Sequence, residues 1–149
     1  MIIYGIGTDI IEIDRIKKAM ERYPGFVDRL FTADELAYLE GKALSPQHVA
    51  GGFSAKEAVL KSIGTGLRNF KWKEIEIIRD VKGKPFVRLN GKVKDYADGN
   101  YIGDIHITIS HSRNYATATA VAEISIEKRW MDIESMLVGA NEMRGRSIN

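Results

Sequence analysis

Alanine stands at every second position from 116 to 122, in Tyr115-Ala116-Thr117-Ala118-Thr119-Ala120-Val121-Ala122. A period of two belongs to a β-strand, whose alternate side chains share one face. A strand face made only of methyl groups lets another element approach closely, because protein interiors pack without voids. Just upstream, Ile105, Ile107 and Ile109 alternate with His106, Thr108 and Ser110. The two runs read as strands joined at Ser110 to Asn114. The element that suits the small face is a long central helix. Ser45 caps its start, with Pro46 at the first helical position, and Gly64 ends it after Ile63.

The rest of the chain is arranged around that helix. Ile2 to Thr8 reads as a strand with a glycine-rich exit, which puts Asp9 at its end. Ile10 to Arg22 has helical spacing, with Ile13, Ile16 and Met20 on one stripe. Pro24-Gly25 breaks it, and a short helical turn carries Phe26, Val27 and Leu30. Thr32 and Glu35 form a capping box for a helix reaching about Gly41. Glu74 to Arg79 and Pro85 to Leu89 alternate about Lys82-Gly83-Lys84 and predict a hairpin. A short helix is expected near Val93 to Tyr96. Ile126, Trp130, Ile133, Leu137 and Ala140 recur at helical spacing behind Ser125 as a cap. Met143 to Asn149 is expected to fray.

A length of 149 residues suits one domain. The 22 basic and 20 acidic side chains give a net charge of +2, too even to indicate nucleic acid. Cysteine is absent, which excludes disulfides and thiolate metal sites. There is no basic leader before an apolar stretch, and no apolar run is long enough to span a bilayer. A cytoplasmic protein without membrane contact is the expectation.

Ser54, Glu57 and Lys61 fall on one face of the central helix. By itself the Glu57–Lys61 pair reads as a solvated ion pair, contributing a few tenths of a kcal/mol. Asp9 alone reads equally as a helix cap or as a ligand for a hard cation beside glycines that admit a ligand. Magnesium takes one or two protein carboxylates and leaves other positions to water and phosphate oxygens. Asp9 and Glu57 suit it. Zinc fits poorly, with only His48, His106 and His111 scattered along the chain. Gly64-Thr65-Gly66 reads as a C-cap, with close ligand passage as the alternative. His111 lies in a strand-to-strand turn, His106 on an outer face, and His48 has no evident partner. Arg15, Lys17, Lys18, Arg22 and Arg29 form either a solvated basic face or a docking surface for an acidic partner anchored by Phe26.

Taken together, these segments resemble the holo-acyl-carrier-protein synthases, the small 4′-phosphopantetheinyl transferases. The resemblance rests on Gly5-Ile6-Gly7-Thr8-Asp9-Ile10 and on Phe53-Ser54-Ala55-Lys56-Glu57-Ala58, continuing to Lys61 and Gly64-Thr65-Gly66. It rests also on Gly83-Lys84-Pro85 and on Ile109-Ser110-His111-Ser112 followed by Tyr115-Ala116. It implies an α+β fold, a curved antiparallel sheet packed on the long helix, over residues 1–124. Residues 125–149 add an amphipathic helix and tail. It implies Mg2+-dependent transfer of the phosphopantetheine arm of coenzyme A to a serine of apo acyl carrier protein, in fatty acid biosynthesis, by a homotrimer.

By the same resemblance, Asp9 and Glu57 are metal ligands, and with Lys61 they form the catalytic set. Lys61, Gly64, Thr65, Gly66, Pro85, His111 and Ser112 bind the coenzyme. Arg15, Arg22, Phe26 and Arg29 dock the carrier protein. One position departs from the family: many members carry arginine before Phe53, where this chain has Gly52. A charged contact to the coenzyme is then either missing or supplied by another residue such as Arg68 or Arg113. The competing reading is a non-catalytic module of the same fold that binds coenzyme A or a carrier protein.

Overall fold

A computed structural model describes residues 1–146. β1 (Ile3–Glu12) leads into α1 (Ile13–Arg22), α2 (Phe26–Leu30) and α3 (Ala33–Gly41). α4 (Pro46–Ile63) is followed by a 3-10 turn, Trp72–Glu74, and by the hairpin β2 (Ile75–Arg79) and β3 (Pro85–Leu89). α5 (Gly91–Gly99), β4 (Ile102–His111), β5 (Tyr115–Ile124) and α6 (Ile126–Arg146) complete the order. α6 thus continues past Met143, into the segment expected to fray; residues 147–149 lie outside the described residues.

The architecture is α+β, with antiparallel strands on the central helix α4. The strands form two pieces, a three-stranded sheet of order β1-β5-β4 and the separate β2–β3 hairpin. A groove of about 510 Å³, lined by Phe86, Val87, Leu89, Ile105 and His106 among others, lies where the two pieces adjoin.

α4 owes its place to small residues. Ala116, Ala118, Ala120 and Ala122 are all buried on the inner face of β5. Three of them join one core with Ala55, Ala58, Val59 and Ile63 of α4. β1 goes further and, at Gly5 and Gly7, offers no side chain. A Cβ on Gly5 would lie 2.1 Å from the Ser62 carbonyl oxygen, and one on Gly7 would lie 2.0 Å from that of Ala58. These glycines therefore admit the helix, not a ligand, which corrects the expectation for their role. The same holds for Gly51 and Gly52 within α4. A Cβ there would come 3.0 Å from Ile109 Cγ2 and 2.9 Å from Phe31 Cε1.

A second correction concerns Asp9, which lies within β1 rather than at its end. β1 continues to Glu12, with Asp9 opposite Ala118, Ile10 opposite Thr117 and Ile11 opposite Ala116. The β-branched pair Ile10-Ile11 favours the extended backbone, so the helix starts at Ile13, not Ile10.

α1, α2 and α3 cover the first half of α4 through a second core of Ile16, Leu30, Phe31, Leu39, Val49 and Ala50. The expected capping box is present: Glu35 Oε2 accepts from Thr32 N at 2.8 Å. Glu35 does more than cap. It is buried, accepts from Ile77 N at 2.9 Å, and pairs with the fully buried Lys56 at 2.9 Å. Lys56 Nζ also donates to the carbonyls of Trp72 and Ile75, so all three ammonium protons are used. Burial pushes its pKa down while Glu35 holds it up. Removing either partner would strand a buried charge, at a cost of about 3–5 kcal/mol.

Candidate active site

α4 ends as its sequence predicts. Gly64 adopts φ 80°, and its N–H donates to the Leu60 carbonyl at 3.0 Å. The Thr65 N–H donates to the same carbonyl at 3.3 Å. Gly64-Thr65-Gly66 is thus a left-handed C-cap one turn beyond Lys61.

The close seating of α4 on β1 brings distant residues together. Lys61 Nζ donates to Asp9 Oδ1 at 3.1 Å and to the Thr8 carbonyl at 3.0 Å. Ser54 Oγ donates to Asp9 Oδ2 at 2.8 Å, and Thr117 Oγ1 donates to the Asp9 carbonyl at 2.8 Å. Asp9 is therefore fixed at both carboxylate oxygens and at its backbone. The Lys61–Asp9 pair is half exposed on the lysine side, so it adds at most about 1 kcal/mol to stability. Its consequence is orientation. Ser54 was legible only as a face-mate of Glu57 and Lys61, and the structure gives it the role of aiming Asp9.

Asp9 and Glu57 line one cleft of about 620 Å³, together with Arg15, Phe26, Phe53 and Tyr115. Burial raises the Glu57 pKa first, the Asp9 charge raises it further, and Lys61 opposes them. A carboxylate whose ionisation is opposed by a second one in the same cleft makes with it a natural pair for a cation. Glu12 lines the same cleft, but among the described residues no third carboxylate or histidine is placed to share an ion with them. That donor set fits a hard divalent ion completed by water and phosphate oxygens.

Of the carrier-docking candidates, Arg15 and Phe26 belong to the cleft wall. Arg22 and Arg29 are exposed on the neighbouring surfaces of α1 and α2, with the Arg22 guanidinium 5.6 Å from the Tyr23 ring centroid.

His111 is not in this cleft. It ends β4 instead of lying in the turn, paired with Ala116, and the turn begins at Ser112, whose N–H donates to the Tyr115 carbonyl. Ala116 in turn faces Ile11, so His111 is two strands and two residues from Asp9, roughly 12 Å by strand spacing and rise. Within one chain the imidazole does not join the two carboxylates.

Its neighbour is His48, with ring centroids 5.8 Å apart. His48, expected to lack a partner, contacts Ser45 Oγ through Nδ1 at 2.5 Å and lies edge-on to Tyr38 at 6.4 Å. Its pKa is lowered by burial and then by three nearby cations or potential cations, His111, Lys42 and Arg79. The Arg79 guanidinium lies 4.4 Å from the Tyr38 ring centroid, and its buried Nε has no hydrogen-bond partner. Arg79, His48, Tyr38 and Gly52 share one hollow with Phe31. Arg79 is thus an arginine beside Gly52, one that the sequence reading did not name. Pro85 pairs with Arg79 at the end of the hairpin. Sequence reasoning passed over Arg79 because strand alternation, even four residues before Gly83-Lys84-Pro85, does not show that it shares a hollow with His48 and Gly52.

The remaining histidine is peripheral, as expected: His106 is exposed and pairs with Glu123 at 2.5 Å.

Residues 5–120 match the family model of the 4′-phosphopantetheinyl transferase superfamily. A holo-[acyl-carrier-protein] synthase of Thermoanaerobacter sp. (strain X514) is 49% identical over 117 residues, covering 78% of this chain and 85% of the relative. The synthase of Alkaliphilus oremlandii (strain OhILAs) is 50% identical over 120 residues, covering 80% and 98%. Among solved structures, the Bacillus anthracis str. Ames synthase in complex with CoA (3′,5′-ADP) superposes with a TM-score of 0.69 at 34% identity. That match covers 84% of this chain and 100% of the other. With its central helix, its antiparallel sheets and its motifs in the same frame, this chain belongs to the holo-[acyl-carrier-protein] synthase family of the 4′-phosphopantetheinyl transferases.

Proposed function

We propose that the chain transfers the 4′-phosphopantetheine arm of coenzyme A to a serine hydroxyl of an apo acyl carrier protein. The products are the holo carrier protein and adenosine 3′,5′-bisphosphate. The observation that carries this reading is the cleft in which an oriented Asp9 meets Glu57 on the family's frame. In the reaction the serine oxygen bonds to the β-phosphorus, and the bond from that phosphorus to the oxygen of the adenosine 5′-phosphate breaks. The serine proton passes to a base.

A Mg2+ ion held by Asp9 and Glu57 supplies charge stabilisation to the pyrophosphate oxygens when bound. The chain's own groups do the rest. Lys61 is half exposed beside Asp9 and presents its ammonium to the leaving phosphate. The serine proton goes to Asp9, to Glu57 or to a water held by one of them, the bases that lie in the cleft. Arg15, Arg22 and Arg29 offer positive charge around the half-buried Phe26, which suits an acidic carrier protein. Gly64, Thr65 and Gly66 line the coenzyme's path next to Lys61.

The cations Lys42 and Arg79 beside the imidazoles of His48 and His111, with Ser112 and Pro85 adjoining them in the chain and the hairpin, suit the coenzyme's ribose phosphate. Along α4, His48 precedes Glu57 by nine residues, about 13 Å. Both phosphate groups of coenzyme A hang on the same ribose. The reading therefore pairs the carboxylate cleft of one copy with the cationic group of a neighbour, as a homotrimer with sites between subunits provides. Service to fatty acid biosynthesis in the cytoplasm completes the proposal; no helix among the described residues is long and apolar enough to cross a membrane.

The test is mass spectrometry of an apo carrier protein mixed with this protein, coenzyme A and Mg2+. A gain of one phosphopantetheine is expected. Coenzyme binding without mass gain on any of several carriers would instead support the non-catalytic module.

A further inference from the structure

α6 lies wholly beyond the family match, which ends at residue 120. Among the described residues, its hydrogen bonds to the body come from its first two turns. Ser125 Oγ accepts from Lys128 N at 3.3 Å, Lys128 Nζ donates to Asp98 Oδ1 at 2.6 Å and to the Ile102 carbonyl at 3.0 Å, and Tyr101 donates to Asp132. From Ile133 to Val138 every residue is exposed, so no side of that stretch is covered. Trp130 is 61% and Leu137 62% exposed.

An uncovered helix of this composition has little stability of its own. In proteins most helical stability comes from packing of an apolar face rather than from propensity. α6 carries β-branched Ile126, Ile133 and Val138, and Gly139 costs about 1 kcal/mol relative to alanine. Its apolar residues are spaced for a narrow contact. Ile126, Trp130, Ile133, Leu137 and Ala140 step by four, three, four and three, the 3.5-residue repeat of a helix that packs along a seam against another helix. The flanking charges point to the identity of that helix. Arg129 lies on one side of the seam and Glu134 on the other. Between two parallel copies in register, Arg129 of one faces Glu134 of the next, five residues on. Antiparallel copies would instead set Glu127 and Glu134 against one another.

We propose that α6 is a self-association element, packing in parallel against α6 of a second copy of this chain along the Ile126–Trp130–Ile133–Leu137–Ala140 seam. Rotational symmetry about an axis along the helices produces this parallel arrangement directly. The proposal stands on α6 alone and is independent of the coenzyme reading.

The absence of cysteine makes the test clean. Single cysteines are introduced into the full chain, Ile133→Cys and Ala140→Cys on the seam and Ser135→Cys on the opposite side. Each variant is oxidised and run on a non-reducing gel, with circular dichroism confirming unchanged helix content. The seam variants are expected to form disulfide-linked dimers, and Ser135→Cys is not. In the Ile133→Cys background, Arg129→Glu or Glu134→Arg should lower the yield about twofold, the effect of one exposed ion pair. The double charge reversal should restore it. Absence of dimers from both folded seam variants, equal yields from all three positions, or failure of the double reversal to recover would overturn the proposal. Each would mean that something other than a second α6 meets this face.

Discussion

Gly7→Ala tests whether the seating of α4 on β1 builds the site. The added methyl would lie 2.0 Å from the Ala58 carbonyl oxygen, 2.6 Å from Ser62 N and 2.8 Å from Lys61 Cβ. Two of these three atoms are backbone, so no rotamer change relieves the clash, and the helix must move off the strand by more than about 1 Å to reach ordinary contact. Overpacking of this kind costs about 1–3 kcal/mol, and a backbone clash belongs at the upper end. About 3 kcal/mol lowers the melting temperature of a chain this size by roughly 6–12 °C. The rate should suffer separately, because Glu57 and Lys61 ride on α4 while Asp9 rides on β1. A displacement near 1 Å at a reacting centre can cost about 100-fold. The assay is thermal unfolding followed by circular dichroism, with carrier modification measured well below the variant's transition. Gly41→Ala is the control: it ends α3 with nothing within 4 Å of its would-be Cβ, and should be neutral or slightly stabilising. A Gly7→Ala protein that melts within about 2 °C of the parent and keeps its rate would refute the reasoning.

Glu57→Gln should abolish transfer yet stabilise the fold at neutral pH with a chelator present. The folded-state pKa of Glu57 lies above its unfolded value, so its contribution is fully present at low pH and is lost as pH rises through the raised pKa. The stability gap between variant and parent should therefore close as the pH falls through the carboxylate range; a parent more stable than the variant at pH 7 in urea melts would contradict the sign. Lys56→Met should cost about 3–5 kcal/mol by stranding Glu35, read from the urea midpoint, and a cost below about 1 kcal/mol would show that the pair is not a buried charge. Arg79→Ala should weaken coenzyme A about 10- to 100-fold through KM, the loss of one charge-assisted contact of about 1.5–3 kcal/mol, with little change in kcat. Dephospho-coenzyme A, which lacks the ribose phosphate, should show no such difference, and an equal loss with both would remove Arg79 from that role.

Local signals carried much of the fold. The serine and proline that start α4, the glycine that ends it, the Thr32–Glu35 box and the alternation of β2 to β5 each lie within a few residues and obey one rule. What stayed hidden was relative placement. Lys56, Glu57 and Lys61 look alike as charged residues on one helix, yet Lys56 is fully buried beneath Glu35, which is 21 residues away in sequence. The glycines of β1 read as ligand-friendly because sequence does not say which face meets the helix. Asp9 was read as a strand end because Ile10 and Ile11 fit a helical stripe as well as an extended one, and pairing with β5 decided between them. His111 entered the site by resemblance, and only the sheet register shows that it reaches His48 rather than Asp9.

The two carboxylates are held to act as a unit on one diphosphate, and a double-mutant comparison of carrier-modification rates measures this. Asp9→Asn and Glu57→Gln should each slow the appearance of the phosphopantetheine mass by about 1,000-fold or more, with the double variant little worse than either, as expected of groups that work together. Either single variant transferring at the parent rate, or losses that simply multiply in the double, would contradict it.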